Sequence, residues 1–334
     1  MTLTIPSVHF PAFEASLPSM EGKTVAITGT TSGTGRVAAS TVAKLGGKVL
    51  VLNRRSARAT ESTAALRAAF PKAEIHEVEC DLMSFASVEA AALRVKELCP
   101  DGLHVLANNA GVMAMPDAAT EDGFDLQMQT NHLSHFLLTR ELWPLLEQAA
   151  EAAGEARVAN HSSTARLFPK RKLLPEYLEK RGGQLGGDGN AALNTMFLGP
   201  RWLRYNQSKL ANCAFTAALH HRLAAKGSKV KALVAHPGLA NTNLQTTTVQ
   251  KGGMGETFNK WFMKMSQSPE DGAMGIISCM CRADARSGQF FGPGKTGTKG
   301  KALPFPLESF YDDERTRELL WRKSEEAIGK PFDG

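Results

Sequence analysis

Short, continuous apolar runs alternate along this chain with longer stretches rich in alanine and leucine. The run Thr24–Thr28 (Thr-Val-Ala-Ile-Thr) ends at a glycine cluster, which predicts a buried strand. Residues 35–45 then carry a helical pattern that stops at the pair Gly46-Gly47. The same alternation predicts strands over 48–52, 74–80, 103–107, 157–161 and 229–235. Between them fall helices over 57–70, closed by Pro71, over 84–98 with Ser84 as N-cap, and over 200–226. One long helix is expected over 124–153 with a bend at Pro144, and a last one over 312–328. Repeated β-α-β order calls for a parallel sheet with helices on both faces, the doubly wound α/β class.

Two stretches break this rhythm: 165–199, which holds Gly182, Gly183, Gly186, Gly187 and Gly189, and 239–266, which holds Met254, Phe258, Trp261, Phe262 and Met265. A short helix over 174–180 is expected inside the first. Residues 1–20, with Pro11 and Pro18 beside Phe10 and Phe13, are expected to form an extended arm over the surface. No linker-like segment follows, so 21–334 is expected to form a single domain that carries the insertion 165–199 and the loop 239–266.

Composition narrows the class further. With 43% of 334 residues apolar there is material for a large core, and 22% charged residues is a globular value that excludes wholesale disorder. The 39 basic and 33 acidic residues leave +6 without any basic block, so no nucleic-acid partner is expected. No apolar run reaches the ~18 residues of a membrane span, and residues 1–20 lack the basic-then-apolar layout of a signal peptide. Five scattered cysteines (Cys80, Cys99, Cys213, Cys279, Cys281) make no disulfide framework and fit a reducing, cytoplasmic setting.

Chemistry enters at Thr28-Gly29-Thr30-Thr31-Ser32-Gly33-Thr34-Gly35, between a predicted strand and a predicted helix. Glycines let the backbone turn tightly against a pyrophosphate, and the helix N-terminus behind them offers free N–H groups and partial positive charge. This is the dinucleotide-binding arrangement of Rossmann-type folds. Further on, Tyr205 and Lys209 lie four apart and share one helix face. The ammonium is expected to pull the phenol below its ordinary value near 10, making Tyr205 a usable proton donor and acceptor. Ser163, at the end of the fifth predicted strand, suits a hydrogen bond to a carbonyl oxygen gaining negative charge, with Ser162 the neighbouring candidate.

Cofactor preference is read from the end of the second predicted strand, Asn53-Arg54-Arg55. No carboxylate stands there to bind a ribose 2′-hydroxyl, whereas a guanidinium grips a 2′-phosphate bidentately. NADP(H) is therefore the expected cofactor and Arg54 the expected contact, with Arg36 facing solvent.

The spacing of Gly29, Gly33 and Gly35 resembles that of the short-chain dehydrogenase/reductase family, and further marks follow in that family's order. They are Asn108-Asn109-Ala110-Gly111, Asn131, Ser162-Ser163, Tyr205 with Lys209, and Pro237-Gly238 with Thr242. The resemblance covers residues 22–242 firmly and the rest loosely. It implies a catalytic set of Asn131, Ser163, Tyr205 and Lys209, in which Lys209 also holds the nicotinamide ribose and Asn131 positions a water leading to solvent. It implies dinucleotide contacts from the glycine loop (Gly29, Thr31, Ser32, Gly33, Thr34, Gly35), from Asn53, from an adenine-pocket pair Asp81-Leu82, from Asn109, Ala110 and Gly111, and from Pro237, Gly238 and Thr242. Within the family, residues 130–139 (Thr-Asn-His-Leu-Ser-His-Phe-Leu-Leu-Thr) and the tail's Leu320-Trp321 and Ser324-Glu325 resemble the retinol dehydrogenase and protochlorophyllide reductase-like branch. The chain departs from that branch at Ser134, where it has glycine, and at His161, where it usually has an apolar residue.

Ser163 and Tyr205 are 42 positions apart, where the family core needs only about a dozen. The insertion therefore emerges beside the site and is expected, with 239–266, to wall or lid it. Leu167, Phe168, Leu193, Met196, Phe197 and Trp202, with Phe258, Trp261 and Phe262, point to a bulky apolar substrate. The resemblance also implies a homodimer built on two long central helices, one of which the insertion enters. Other features read as structural. His132 and His135 lack a third ligand, so no metal is expected. Cys279 and Cys281 are ordinary buried thiols, and Arg166, Lys170, Arg171 and Lys172 form a solvated face.

The expected activity is NADPH-dependent reduction of a ketone or aldehyde on a mostly apolar small molecule, reversible as alcohol oxidation. The alternative is reduction of a carbon–carbon double bond, which in protochlorophyllide reductases shows as light-dependent turnover. A catalytically idle NADP-sensing protein is opposed by the presence of both Tyr205 and Lys209.

Overall fold

A computed structural model of the chain describes residues 5–168, 171–190, 194, 197–255, 265–294 and 296–334. Its strands are β1 (Thr24–Thr28), β2 (Lys48–Asn53), β3 (Ile75–Glu79), β4 (Val105–Asn108), β5 (Ala156–His161), β6 (Val230–Ala235), β7 (Gln289–Gly292) and β8 (Leu303–Pro306). They form one sheet in the order β3-β2-β1-β4-β5-β6-β7-β8, parallel throughout except for the antiparallel pair β7-β8. The β1, β4, β5 and β6 side chains are almost all buried, as continuous apolar runs covered on both faces should be.

The helices are α1 (Phe10–Ala15), α2 (Gly33–Lys44), α3 (Ala57–Ala69), α4 (Phe85–Leu98), α5 (Leu126–Met128), α6 (Ser134–Glu141), α7 (Trp143–Ala153), α8 (Pro200–Lys226), α9 (Asn243–Gln250), α10 (Pro269–Cys281) and α11 (Glu314–Ile328). One apolar layer joins the sheet to α4, α6, α7, α8 and α11 through Val88, Leu137, Leu146, Phe215 and Trp321. The other joins it to α1, α2 and α10 through Phe10, Ala38, Val42, Met274 and Ile277. Strand order reverses between β1 and β4, so the chain leaves these strands toward opposite faces and opens a crevice at their carboxyl ends.

The helix expected over 124–153 is divided. Asp125 caps α5 by accepting N–H bonds from Gln127 (3.1 Å) and Met128 (2.8 Å), and a π-helical turn over Gln129–Leu133 leads into α6. Pro144 does not bend a helix but lies in the first turn of α7, where its missing N–H costs nothing. The arm is not extended either. The Asp271 carboxylate, in the first turn of α10, accepts N–H bonds from Val8, His9 and Phe10 and the hydroxyl of Ser7, which holds the start of α1 and buries Phe10. The loop 239–266 contains α9, and the short helix expected over 174–180 is a single 3₁₀ turn, Pro175–Leu178. β7 and β8 carry no signal that local pattern would reveal. Pro304 and Pro306 in β8 donate no ladder bonds, so they are tolerated only at the sheet edge, where Phe305 stacks on Phe290 at 4.7 Å.

The outer face of α8 is covered by α11. Trp321 stacks on Phe332 at 5.0 Å, meets Phe136 edge-on at 5.2 Å and lies under the Arg222 guanidinium at 4.2 Å. Beside it the Ser324 hydroxyl meets His132 Nε2 at 2.8 Å. Because Trp321 is fully buried, Trp321→Ala is expected to cost about 3–5 kcal/mol of stability, measured as a lower urea midpoint. A loss below about 1 kcal/mol would mean that α11 does not hold this position in solution.

Candidate active site

The glycine loop lies at the crevice, where Gly29 and Gly35 meet backbone that no side chain would clear. Gly29 turns at φ +72°, and a Cβ on it would fall 2.8 Å from Ala110. A Cβ on Gly35 would sit 2.2 Å from the Gly29 carbonyl oxygen and 2.3 Å from Asn109 Nδ2. Gly33, at φ +57°, faces the Thr242 methyl, which brings the segment after β6 against the loop. Thr31, Ser32 and Thr34 are half-buried beside the first N–H groups of α2, which no intrahelical carbonyl reaches. This close-packed cradle ahead of free amides fits a dinucleotide pyrophosphate.

Asn53 stands under that loop rather than in front of it. Its Oδ1 accepts the Thr30 N–H and its Nδ2 donates to the Thr30 hydroxyl, both at 2.8 Å, so its side chain supports the loop. Arg55 pairs with Glu79 at 2.7 Å, while Arg54 is exposed and has no ion pair among the described residues. Arg36 is also exposed. Asp81 Oδ1 accepts the Met83 N–H at 3.0 Å, and the Leu82 carbonyl accepts the Ser134 hydroxyl at 2.7 Å. The serine that replaces the branch's glycine thus ties α6 to the segment after β3. Pro237 and Gly238 follow β6, and a Cβ on Gly238 would lie 2.5 Å from the Thr298 carbonyl oxygen.

The ends of β1 and β4 are clasped by Thr28. Its hydroxyl accepts the N–H groups of Asn109 and Ala110 at 3.0 Å and meets His135 Nε2 at 2.9 Å. With both amides donating, the hydroxyl proton goes to His135 Nε2, which leaves Nδ1–H to donate to the Asn131 carbonyl at 3.0 Å. Asn131 Oδ1 accepts the Val112 N–H (2.8 Å), and its Nδ2 donates to the Val112 carbonyl (3.0 Å) and the Ser208 hydroxyl (2.8 Å). Its side chain is thereby spent on the segment after β4 and on α8.

Tyr205 and Lys209 share the inward face of α8, with Lys209 Nζ 6.0 Å from the phenol ring centre. Lys209 Nζ donates to the His161 carbonyl at 3.0 Å, and a Cβ on Gly111 would lie 3.2 Å from that nitrogen. Ser163 ends the turn after β5 with its side chain beside the Tyr205 phenol. Ser162 is excluded from that position, because its hydroxyl donates to the Lys209 carbonyl at 2.7 Å and accepts from Cys213. The phenol is not pulled down by Lys209. Burial pushes it up to about 12, with Ser163 opposing, and burial pushes Lys209 down to about 8. Loss of water outweighs the attraction of an ammonium that points at a backbone carbonyl.

Over Tyr205 lies an apolar wall of Met113, Ala114, Trp202 and Met254, flanked by Phe197, Leu244 and Val249. Trp202 Nε1 donates to the Gly253 carbonyl (3.0 Å) and Thr248 to the Met113 carbonyl (2.9 Å), which fasten the segment after β6 onto this wall. Of the apolar residues singled out for this role, Leu193, Met196, Phe258, Trp261 and Phe262 lie outside the described residues, as does Lys170. Leu167 is half-buried and Phe168 faces solvent.

The insertion is stapled down. Arg204, completely buried next to Tyr205, donates to the carbonyls of Leu185 (3.0 Å), Gly187 (2.8 Å) and Met115 (3.2 Å), and Asp125 lies 3.4 Å from it. Leu173, Tyr177, Leu178 and Leu185 of the insertion join the main core. Arg166 is likewise no part of a solvated face. It is fully buried, pairs with Glu308 at 2.7 Å and lies over the Phe290 ring at 4.4 Å.

The sequence pattern missed Met113 and Ala114, the stapling role of Arg204, and the buried pair of Arg166 with Glu308. A lone arginine in a helix carries no signal of the carbonyls it will meet. A cleft of about 760 Å³ lies at the opposite, amino-terminal end of the strands among Lys23, Lys48, Phe70 and Pro100.

Comparison with known proteins agrees with this geometry. Residues 23–177 match the family model for short chain dehydrogenases. The chain is 30% identical to the short-chain dehydrogenase/reductase drtF of Aspergillus calidoustus over 96% of this chain and 98% of that one. It is 34% identical to retinol dehydrogenase 14 of Mus musculus, covering 93% of this chain and 87% of the other. Among solved structures, an uncharacterized protein from Mycobacterium paratuberculosis superposes with a TM-score of 0.71 at 32% identity, over 96% and 98% of the two chains.

Four imidazoles are buried in the fold. Burial pushes His132, His161 and His236 down to about 3 and His135 to about 4. An unfolded chain, with histidines near 6.5, binds more protons between about pH 3 and 6.5. Stability therefore rises with pH across that window and is lost on acidification. Asp125, pushed up to about 6 by burial, opposes this as one group against four. The urea midpoint is expected to be lower at pH 5 than at pH 7, and equal midpoints would contradict four buried neutral rings.

Proposed function

The chain belongs to the short-chain dehydrogenase family, in its retinol dehydrogenase-like branch, and we propose that it is an NADPH-dependent reductase of a ketone or aldehyde on a bulky apolar molecule, reversible as an alcohol dehydrogenase. The observation that carries the reading is a neutral phenol, Tyr205, beside the Ser163 hydroxyl and on one helix face with Lys209, at the crevice that holds the glycine loop.

When bound, the dinucleotide supplies the hydride. Ser163 donates a hydrogen bond to the substrate carbonyl oxygen and stabilises the charge that develops there. Tyr205, protonated at neutral pH, hands its proton to that oxygen. Lys209, charged below about pH 8 and bonded to the His161 carbonyl, stands 6.0 Å from the phenol ring centre, on the same helix face, beside the site where the dinucleotide would lie. The surrounding apolar wall excludes water and strengthens each of these interactions.

Three further features support the finer reading. Exposed Arg54, with no carboxylate at the end of β2, favours a 2′-phosphate and hence NADP(H) over NAD(H). Relatives named retinol dehydrogenase and polyprenol dehydrogenase support a large apolar alcohol or carbonyl as substrate, in keeping with the wall over Tyr205. Five free, buried cysteines support a reducing compartment such as the cytoplasm.

Tyr205→Phe should lower kcat by about 10²–10⁴-fold while leaving NADPH binding within about twofold, measured by NADPH absorbance with apolar aldehydes and ketones. Unchanged turnover would remove Tyr205 from its role. Arg54→Ala should raise the KM for NADPH by about tenfold or more and leave that for NADH unaltered. Equal losses for both dinucleotides would mean that the 2′-phosphate is held elsewhere.

A further inference from the structure

His161 closes β5 two residues before Ser163. Its carbonyl accepts Lys209 Nζ and Asn212 Nδ2, both at 3.0 Å. Its ring points the other way, with Nδ1 at 2.9 Å from Asn109 Oδ1. One residue thus touches the machinery of Tyr205 through its backbone and the glycine loop through its side chain.

The proton positions follow from the partners. Asn109 Nδ2 donates to the carbonyls of Thr28 (2.9 Å) and Gly29 (3.2 Å), so Asn109 Oδ1 is the acceptor that faces His161. Thr34, in the first turn of α2, also donates to that oxygen at 3.1 Å. His161 therefore carries its proton on Nδ1 and keeps Nε2 bare. Burial holds the ring neutral, and Nε2 has no hydrogen-bond partner among the described residues.

Leucine or valine at this position would remove the N–H that buried Asn109 Oδ1 accepts. With the His161 N–H in place, the Asn109 amide is held in the one orientation that fastens both the end of β1 and the first glycine. Without it, the buried Oδ1 loses one of its two donors, and the amide is less firmly set against the Gly29 carbonyl on which Gly35 packs.

We propose that His161 is a positioning residue for dinucleotide binding, which locks the Asn109 amide and through it the glycine loop in the form that accepts the pyrophosphate. The inference rests on the dinucleotide reading above and extends it to a residue outside the family's motif. The link runs through the Nδ1 proton to Asn109 and from Asn109 to the Gly29 carbonyl.

The test uses three full-length proteins, wild type, His161→Leu and His161→Asn, with NADPH titrated against tryptophan fluorescence, thermal midpoints, and kcat and KM for an apolar aldehyde. Asparagine places an amide N–H near the position of Nδ1, and leucine places none. His161→Leu should bind NADPH about tenfold more weakly, the loss of one well-made hydrogen bond, while still unfolding in a single cooperative thermal transition. Its KM for NADPH should rise while kcat stays within about threefold, because the Lys209 bond is to backbone. His161→Asn should recover most of the NADPH affinity. Wild-type affinity in His161→Leu, or equal weakening in both variants, would overturn the assignment. Wild-type protein that binds neither NADPH nor NADH would overturn the dinucleotide reading itself, and this inference with it.

Discussion

The hydroxyl of Thr28 is the point on which the site turns. It sits where strand order reverses, at the carboxyl end of β1, and accepts the N–H groups of Asn109 and Ala110 from the end of β4. Two parallel strands whose chains leave toward opposite faces would otherwise splay there and expose unpaired amides. By closing that gap and passing its proton to His135, Thr28 joins the glycine loop to the π-helical turn that carries Asn131. From there Asn131 reaches Ser208 on α8, one residue before Lys209. The whole path is neutral. Polar groups this deep are tolerated because nearly every one of them has a partner.

Charge is handled differently at the rim. Arg204 and Arg166 are both completely buried, and each flanks a residue of the site, Arg204 beside Tyr205 and Arg166 three residues after Ser163. Each spends its N–H groups on backbone carbonyls and a carboxylate, Arg204 on the insertion and Asp125, Arg166 on the Ser163 carbonyl and Glu308. An uncompensated guanidinium in these positions would be prohibitively costly. The segments they bind, 185–187 and the stretch around Glu308, are thereby fixed to the body of the fold. A wall fixed at this depth keeps water from the phenol, and that same burial moves Tyr205 and Lys209 toward their neutral forms. A phenol with its ordinary value near 10 is already protonated at neutral pH, and this burial keeps it so while making it a weaker acid.

Much of this was legible in the chain. The order of strands and helices through 235 followed from apolar runs and their glycine and proline punctuation, because local backbone preference and burial on both faces leave few alternatives. The glycines at 29, 33 and 35 declared a cradle, since only a missing Cβ permits the contacts seen there, and the four-residue interval from Tyr205 to Lys209 declared a shared face. Three kinds of feature stayed hidden. Pro144 looks the same whether it bends a helix or starts one, and only the packing of α6 and α7 decides. β7 and β8 are too short for pattern and exist because β6 offers an open edge. Phe10 lies in a helix because a carboxylate more than two hundred residues away captures the amides before it.

The sequence by itself determined which chemical groups are present and at what intervals, and therefore the class of sheet, the glycine cradle, and the phenol, amine and hydroxyl brought to one crevice. Tertiary structure alone decided their state: which of two adjacent serines faces the phenol, which nitrogen of His161 carries a proton, and that Tyr205 is raised and not lowered. Intervals along a chain are set by covalent geometry and survive into the fold. Proton affinities and hydrogen-bond partners depend on how much water is removed and on which distant groups fill its place, and those quantities come into being only when the chain has closed around them.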